Sequence, residues 1–254
     1  MTTKAHAKIN TFLKITGHKD GYHTLLSRFV KVPHLYDTIR FVPARCEDFT
    51  IEGCGDVPVQ SNTIYKVYQA IRHHQDACIV SDFFKYHKVV VEKNIPSGAG
   101  LGGGSSDAAA FMRLFNEVCK LGISTPTLAR IGSTVGADIP FFVYDYDAAN
   151  VSGFGEVVEP FEDDAFAIEL YTPDIHCDTA RVYKTFKQQL LESIAPATFE
   201  GWERLSSREV LGHASPVEAN DLYKASLIAY PELAEVAQEG WYFSGSGSSF
   251  FKLK

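Results

Sequence analysis

The sequence lacks several features that define whole classes of protein. No apolar run approaches the roughly 20 residues of a membrane-spanning helix, and residues 1–6 have none of the apolar stretch of a signal peptide. Basic residues are outnumbered, with 24 Lys and Arg against 31 Asp and Glu and a formal net charge of −7. Because an acidic surface repels nucleic acid and anionic membranes, we expect a cytoplasmic protein that binds neither.

Cysteine pairs with metal-site spacing are also missing. The five cysteines are odd in number, scattered, and include no Cys-x-x-Cys. This usage is typical of reduced thiols in a cytosol and disfavours a zinc site. What remains is a chain of 254 residues, 45% of them hydrophobic, which is long enough for one or two domains with a sizeable core.

The chain is organised around one glycine-rich segment. Residues 89–92 read Val-Val-Val-Glu, which predicts a strand. Five of the seven residues from Gly98 to Gly104 are glycine, so we expect neither helix nor strand there. Ser105, Ser106 and Asp107 offer capping oxygens to a helix that starts at the alanines that follow. Strand, glycine loop and helix N-terminus together predict an anion site, most often one for phosphate.

Other glycine motifs fit this segment less well. A P-loop requires a lysine after the glycines, and none is present. A dinucleotide fingerprint is formally present as Gly98-x-Gly100-x-x-Gly103, but five residues separate Glu92 from Gly98 where that turn is tight. No strand ending in an acidic residue follows about 20 residues later. A flexible linker is disfavoured because a strand and a patterned helix flank the loop directly.

Two polar pairs precede the glycine loop. Residues 7–15 alternate between apolar and polar, which predicts a strand with Lys8 and Asn10 on one face, roughly 7 Å apart. A lysine on a strand is usually solvated, but pairing with an asparagine before an unusual turn favours a functional role. Just past that turn, Tyr22 and His23 either pack the turn or bind a flat ligand, by stacking and by hydrogen bonding respectively.

Three candidates follow the loop. Asp138 lies between a helix-ending glycine and an apolar run. It is either a helix-end residue bonded to backbone or a buried carboxylate placed for proton or charge chemistry. Tyr183 lies in a predicted helix over 179–193, where spacing alone makes it a core residue. The small residues 244–249 join two apolar strands, either as a hairpin turn or as backbone packed closely against a phosphate loop.

Three blocks of sequence together resemble the galactokinase, homoserine kinase, mevalonate kinase and phosphomevalonate kinase (GHMP) superfamily. They are Ala-Lys-Ile-Asn at 7–10, Pro-Ser-Gly-Ala-Gly-Leu-Gly-Gly-Gly-Ser-Ser at 96–106 and Ser-Gly-Ser-Gly at 244–247. Further segments are most similar to members that act on a cytidine diphosphate-linked methylerythritol in the non-mevalonate isoprenoid pathway. These segments are 21–23, 100–109, 136–142 and 220–222.

The resemblance implies a two-domain α/β (α+β) fold with the site in a cleft. Residues 1–150 would form the N-terminal ATP-binding GHMP kinase domain, similar to the second domain of ribosomal protein S5. Residues 151–254 would form a ferredoxin-like C-terminal domain. Because many members continue for tens of residues past the third block, we expect a trimmed C-terminal domain. Ala99 stands where a glycine is commoner, and its methyl is tolerable only at negative φ.

The resemblance also implies a small-molecule kinase with ATP and Mg²⁺, which phosphorylates the 2-hydroxyl of the methylerythritol unit. Asp138 matches the catalytic carboxylate and Lys8 the active-site lysine, while Ser105 or Ser106 is available to ligate magnesium. The implied substrate contacts are Asn10, Tyr22, His23 and Tyr183. The implied ATP contacts are Pro96, Ser97, Gly98, Ala99, Gly100, Leu101, Gly102, Gly103, Gly104, Ser105 and Ser106.

Alternative functions remain beside the kinase of a cytidyl substrate. A homoserine- or mevalonate-type kinase is disfavoured by the Gly-Tyr-His sequence at 21–23. A catalytically silent nucleotide-binding or regulatory module is disfavoured by the presence of both Lys8 and Asp138. A nicotinamide oxidoreductase is the most distant alternative.

Overall fold

The computed structural model describes residues 1–19, 22–74, 82–191 and 198–254, without the side chains of Lys19 and Tyr22. It is a mixed α/β structure. Two long strands, β1 (Thr2–Lys19) and β2 (Tyr22–Pro43), pair with each other. Within the described ranges, no helix combines the length and the apolar character needed to cross a membrane.

The chain forms two compact units from interleaved segments. The first unit comprises Met1–Ala7, Pro33–Ile95 and Gly103–Asp145. The second comprises Lys8–Val32, Pro96–Gly102 and Tyr146–Lys254. The second unit therefore includes segments that the sequence-based division at residue 150 assigns to the N-terminal domain. That division stays a prediction.

The first unit has a small sheet covered by helices. The second half of β2 pairs antiparallel with β4 (His87–Glu92), and β4 pairs parallel with β3 (Ile51–Glu52). Its helices are α1 (Thr63–His74), α2 (Gly103–Val118), α3 (Thr125–Ser133) and α4 (Ile139–Tyr144). Helix α2 packs against both α1 and α4. Ser105, in the first turn of α2, lies beside Gly136, which precedes α4.

An aromatic cluster fills the core of the first unit. Phe111 and Phe115 lie four residues apart on α2, on one face, with ring centroids 5.6 Å apart. Both rings pack edge-on against Phe41 of β2 and also contact Phe84. All four rings are buried. This packing anchors the helix that begins at the glycine loop.

The second unit contains two sheet regions. The first half of β2 pairs antiparallel with β5 (Ala148–Gly153), which pairs with β6 (Val157–Pro160). A separate antiparallel sheet has the order β7 (Ile168–Tyr171), β9 (Phe250–Leu253), β8 (Tyr242–Phe243). The helices are α5 (Thr179–Gln189), α6 (Ser207–His213), α7 (Pro216–Ala219), α8 (Asp221–Ala229) and α9 (Leu233–Val236).

The start of α2 differs from the sequence-based expectation. We expected no helix before Ser105, but α2 begins at Gly103, so that expectation is wrong for its last two glycines. The first N–H groups of a helix have no intrahelical partner, and a glycine backbone lets another acceptor approach them closely. Close packing also explains the glycine, since a Cβ at Gly103 would lie 3.0 Å from Cγ2 of Ile95.

Candidate functional site

Lys8 and Asn10 share one face of β1, as the alternating pattern predicts. Lys8 Nζ donates to Asn10 Oδ1 at 2.6 Å, and Asn10 Nδ2 donates to Ser27 Oγ at 2.9 Å. Both side chains are almost fully buried. The amide is therefore engaged at both ends and orients the lysine. A direct contact between Asn10 and a substrate stays a prediction.

The carbonyl oxygen of Gly100 joins three distant parts of the sequence. It accepts hydrogen bonds from Lys8 Nζ and from Ser244 Oγ, each at 3.2 Å. The adjacent Ala99 carbonyl accepts from the Ser249 N–H at 3.1 Å. Both interpretations of the second small-residue loop hold, since it joins the antiparallel strands β8 and β9 and its backbone also packs against the glycine loop. Lys8, Gly100 and Ser244, all in the second unit, thus meet at one main-chain oxygen.

Glycine is required in this loop for both conformation and space. Gly100 has a φ of +72°, and a Cβ there would lie 2.2 Å from the Ser244 carbonyl oxygen. Gly98 has a φ of +64°, and a Cβ there would lie 2.2 Å from His176 Nδ1. Ala99 lies outside the left-handed region, so the condition for tolerating its methyl group is met. Sequence reasoning missed His176, which no motif marks.

Asn220 is a second residue whose role sequence reasoning missed. Its Nδ2 donates to the carbonyl oxygens of Phe243 and Gly245, both at 2.9 Å, and its Oδ1 accepts from the Leu222 N–H at the start of α8. Asn220 therefore fixes the second loop to a helix. The Asn-Asp pair before an apolar helix is an N-cap signal, but the contact with the loop is tertiary.

An aromatic group surrounds His23 at the start of β2. The His23 ring stacks on Tyr183 of α5 with centroids 5.8 Å apart and an interplanar angle of 23°. Phe186 and His18 pack against it edge-on at 5.5 and 5.2 Å. Tyr183 is half-buried, rather than in the core as its spacing predicts, because it lies at the edge of this group. The side chain of Tyr22 lies outside the described residues.

The surroundings of the His23 imidazole favour its neutral form. Burial lowers its pKa below 6.5, and the neighbouring His18 and Lys187 lower it further. Its Nδ1 is buried and has no hydrogen-bond partner among the residues that the structure describes. A neutral ring with an unused polar nitrogen can form a hydrogen bond with the edge of a flat ligand, as donor or as acceptor.

The two serines at the start of α2 are not equivalent. Ser106 is buried, and its hydroxyl donates to the carbonyl oxygen of His6 at 2.6 Å. Ser105 is half-buried and its Oγ lies beside the Gly136 backbone, 3.8 Å from the position of a Cβ there. Because the Ser106 hydroxyl is engaged, Ser105 is the better candidate to meet a bound metal ion.

Asp138 immediately precedes α4 and is half-buried in the first unit. It occupies the N-cap position, yet its side chain makes no capping hydrogen bond to the helix. An aspartate in that position usually caps the helix through its carboxylate. The geometry therefore weakens the interpretation of Asp138 as a helix-capping residue.

Comparison with known proteins identifies the family. Residues 62–146 match the family described as "GHMP kinases N terminal domain". A curated 4-diphosphocytidyl-2-C-methyl-D-erythritol kinase from Sulfurovum sp. (strain NBC37-1) is 57% identical over 251 residues, which cover 98% of each chain. The chain belongs to the 4-diphosphocytidyl-2-C-methyl-D-erythritol kinase family. A kinase of the same name from Sulfurimonas denitrificans is 45% identical to this kinase over 255 residues, covering 99% of this chain and 96% of that protein.

A solved structure of a 4-(cytidine 5'-diphospho)-2C-methyl-D-erythritol kinase has the same fold as this kinase. The TM-score is 0.75 at 28% sequence identity, with 100% of this chain and 90% of that chain covered. The predicted GHMP kinase fold is confirmed, whereas the names of its two sub-domains stay predictions. We expected a C-terminal domain shorter than that of many members. The alignments cover 98% and 96% of the two curated relatives, so this chain is not shortened relative to them.

Gly100→Ala tests the contact between the two loops. The positive φ costs a non-glycine residue about 1–2 kcal/mol, and the added methyl displaces Ser244. We expect the KM for ATP to rise about tenfold or more, as measured in steady-state kinetics. Gly212→Ala, at an exposed helix position with nothing within 4 Å of the added Cβ, is the matched control. Equal KM values for ATP in the two variants would contradict the assignment of the glycine loop to ATP binding.

Proposed function

We propose that this kinase transfers the γ-phosphoryl group of ATP to the 2-hydroxyl of 4-diphosphocytidyl-2-C-methyl-D-erythritol. The observation that carries the proposal is the near-full-length identity with relatives named for this substrate, 57% and 45%. The direct test is consumption of ATP in the presence of this acceptor, with homoserine and mevalonate as comparison acceptors. Equal turnover of either comparison acceptor contradicts the proposal.

The glycine loop supports ATP as the phosphoryl donor. Positive φ values at Gly98, Gly100 and Gly102 give a compact backbone without side chains, which lets N–H groups approach phosphate oxygens. The proposed phosphate ligands are the main-chain N–H groups of residues 96–106. Those at the start of α2 carry the partial positive charge of a helix N-terminus.

The oxygen chemistry near the start of α2 fits magnesium. No cluster of three or more His, Cys, Asp or Glu side chains among the described residues has metal-site geometry, and Mg²⁺ in kinases is held largely by phosphate oxygens and water. We assign Ser105 as the proposed protein ligand. When bound, the ion neutralises charge on the phosphates.

Two side chains are proposed to act on the transferring group. Phosphoryl transfer depends mainly on positioning and on charge stabilisation. Asp138 accepts or orients the proton of the acceptor hydroxyl, a role supported by its half-buried position at the start of α4. Lys8 stabilises negative charge on the transferring group, and its orientation by Asn10 at 2.6 Å supports this role.

The aromatic group at His23 is proposed to bind the cytosine ring. Tyr183 supplies a flat face for stacking, and His23 hydrogen-bonds the base edge. A second stacking contact from Tyr22 stays a prediction from the sequence. A site that hydrogen-bonds a base edge rejects a mismatched base strongly, because its own polar atoms would be left unpaired. The unpartnered Nδ1 of His23 is consistent with such a site.

Asp138→Asn preserves the shape of the side chain and removes proton acceptance. We expect kcat to fall about 10²- to 10⁴-fold, with little change in substrate dissociation constants. Lys8→Met is expected to give a comparable fall through lost charge stabilisation. The double variant should lose less than the product of the two effects, because both residues would act on one transition state.

Asp145→Asn is the control for these kinetics, since Asp145 caps the other end of the same helix α4 and should leave kcat near that of the wild type. A near-wild-type kcat in Asp138→Asn rejects its role as a base. Strictly multiplicative losses in the double variant argue against a shared transition state.

Tyr183→Ala is expected to weaken binding of the cytidyl substrate alone. Stacking of a base on an aromatic ring contributes roughly 1–3 kcal/mol, or about five- to 150-fold in KM. Tyr183→Phe retains the ring and should retain the KM, and Tyr22→Ala should behave like Tyr183→Ala. A rise in the KM for ATP instead would mean that the ATP site and the cytosine site have been assigned the wrong way round.

The charge state of His23 predicts a pH dependence. Because its pKa lies below 6.5, the ring is neutral at pH 7 and gains a proton only in more acidic solution. We expect the KM for the cytidyl substrate to stay level between about pH 7 and 8 and to rise below the ordinary histidine pKa. In His23→Gln, which cannot titrate, the acid-side rise should disappear; its persistence assigns the effect to another group.

A further inference from the structure

The first unit contains an ionic cluster, made of two buried carboxylates and one partly exposed lysine, that the proposed mechanism does not use. Asp37 of β2 is fully buried, and its carboxylate accepts hydrogen bonds from Lys93 Nζ and from the N–H groups of Asn94 and Ile95. Lys93 Nζ also donates to Asp107 Oδ2 at 2.7 Å. Lys93 directly follows β4, and Asp107 lies in the second turn of α2. The cluster therefore connects the end of a strand to the start of a helix.

The end of β4 and the start of α2 flank the glycine loop on either side. Ile95 and Gly103 flank residues 96–102, and a Cβ at Gly103 would lie 3.0 Å from Ile95 Cγ2 and 3.5 Å from Lys93 Nζ. Asp37 holds the segment that enters the loop, while Asp107, through Lys93, holds the helix that leaves it. Since bringing chain ends together costs entropy, ends that are fixed in advance reduce the ordering that a ligand must otherwise impose.

The charges of the cluster depend on one another. The two carboxylates hold the pKa of Lys93 above its ordinary value in spite of burial. Burial raises the pKa of Asp107 to about 7, against the opposing effect of Lys93. The second oxygen of Asp107 is buried and has no hydrogen-bond partner within the described part of the chain. Lys93 is thus the cation that the two buried acids share.

We propose that Asp37, Lys93 and Asp107 form an ionic clamp that closes the base of the glycine loop and thereby sets the affinity for ATP. The three are positioning residues, since they act through the loop. The inference rests on the proposed role of this loop in binding ATP phosphates. Nothing in the chemistry of the acceptor requires the clamp, so its loss should affect the nucleotide selectively.

The experiment compares Lys93→Met and Asp107→Asn with the wild type, using ATP binding by calorimetry and steady-state kinetics. We expect the Kd and the KM for ATP to rise about tenfold or more, because charge-assisted hydrogen bonds at the loop base are lost. The kcat at saturating ATP and the KM for the cytidyl substrate should stay close to wild-type values. Lys93→Arg, which keeps the cation, should recover part of the affinity.

Lys88→Met is the matched control. Lys88 lies on the same strand β4, and its Nζ pairs with both carboxylate oxygens of Glu52 at 2.8 and 2.9 Å. The side chains of Lys88 and Lys93 are similarly exposed, 27% and 32%. If the clamp is correct, removing Lys88 should leave ATP affinity unchanged, although a lysine of similar exposure is lost from the same strand. An equal loss of affinity in Lys88→Met and Lys93→Met overturns the clamp.

Thermal melts accompany each measurement, so that binding is compared only among folded proteins. If Lys93→Met fails to fold, the near-isosteric Asp107→Asn decides the question. A lower melting temperature with an unchanged Kd for ATP means that the cluster is only structural, which overturns the inference. Absence of ATP binding in the wild type would instead reject the proposed function itself, so the two failures are distinguishable.

Discussion

The carbonyl oxygen of Gly100 accepts hydrogen bonds from Lys8 and Ser244, and the second unit is arranged around this contact. The two loops can pack this closely only because no side chain stands between them, since a Cβ at Gly100 would lie 2.2 Å from the Ser244 carbonyl oxygen. Gly100 also has a positive φ, which favours glycine at this position. Close approach of backbone to backbone is therefore the constraint that selects small residues in both loops.

A second level of polar contacts keeps these groups in place. Asn10 orients Lys8, and Asn220 ties the second loop to α8. In the first unit, Asp37 and Asp107 share Lys93 at the base of the glycine loop. Apart from Lys93, which is partly exposed, each of these side chains is buried, and buried polar groups are costly unless they are satisfied. Groups of this kind are rigid, which suits a reaction that depends on positioning.

Much of this arrangement follows from local sequence patterns. The alternation in residues 7–15 places Lys8 and Asn10 on one face, and the spacing of Phe111 and Phe115 marks the buried face of α2. Periodicity of this sort depends only on strand and helix geometry. It fails where tertiary packing intervenes, as at Gly103, where α2 starts early, and at Tyr183, whose helical spacing alone indicates a core residue.

The sequence by itself determined which segments are strand, loop and helix, and which superfamily the chain resembles, because motif order and periodicity are local properties. Only the tertiary structure decided that Gly100, Lys8 and Ser244 meet, that Ser106 is engaged by His6, and that His176 lies over Gly98. These contacts join residues up to 144 positions apart. No periodicity encodes such separations, since they depend on how strands and helices pack within each unit.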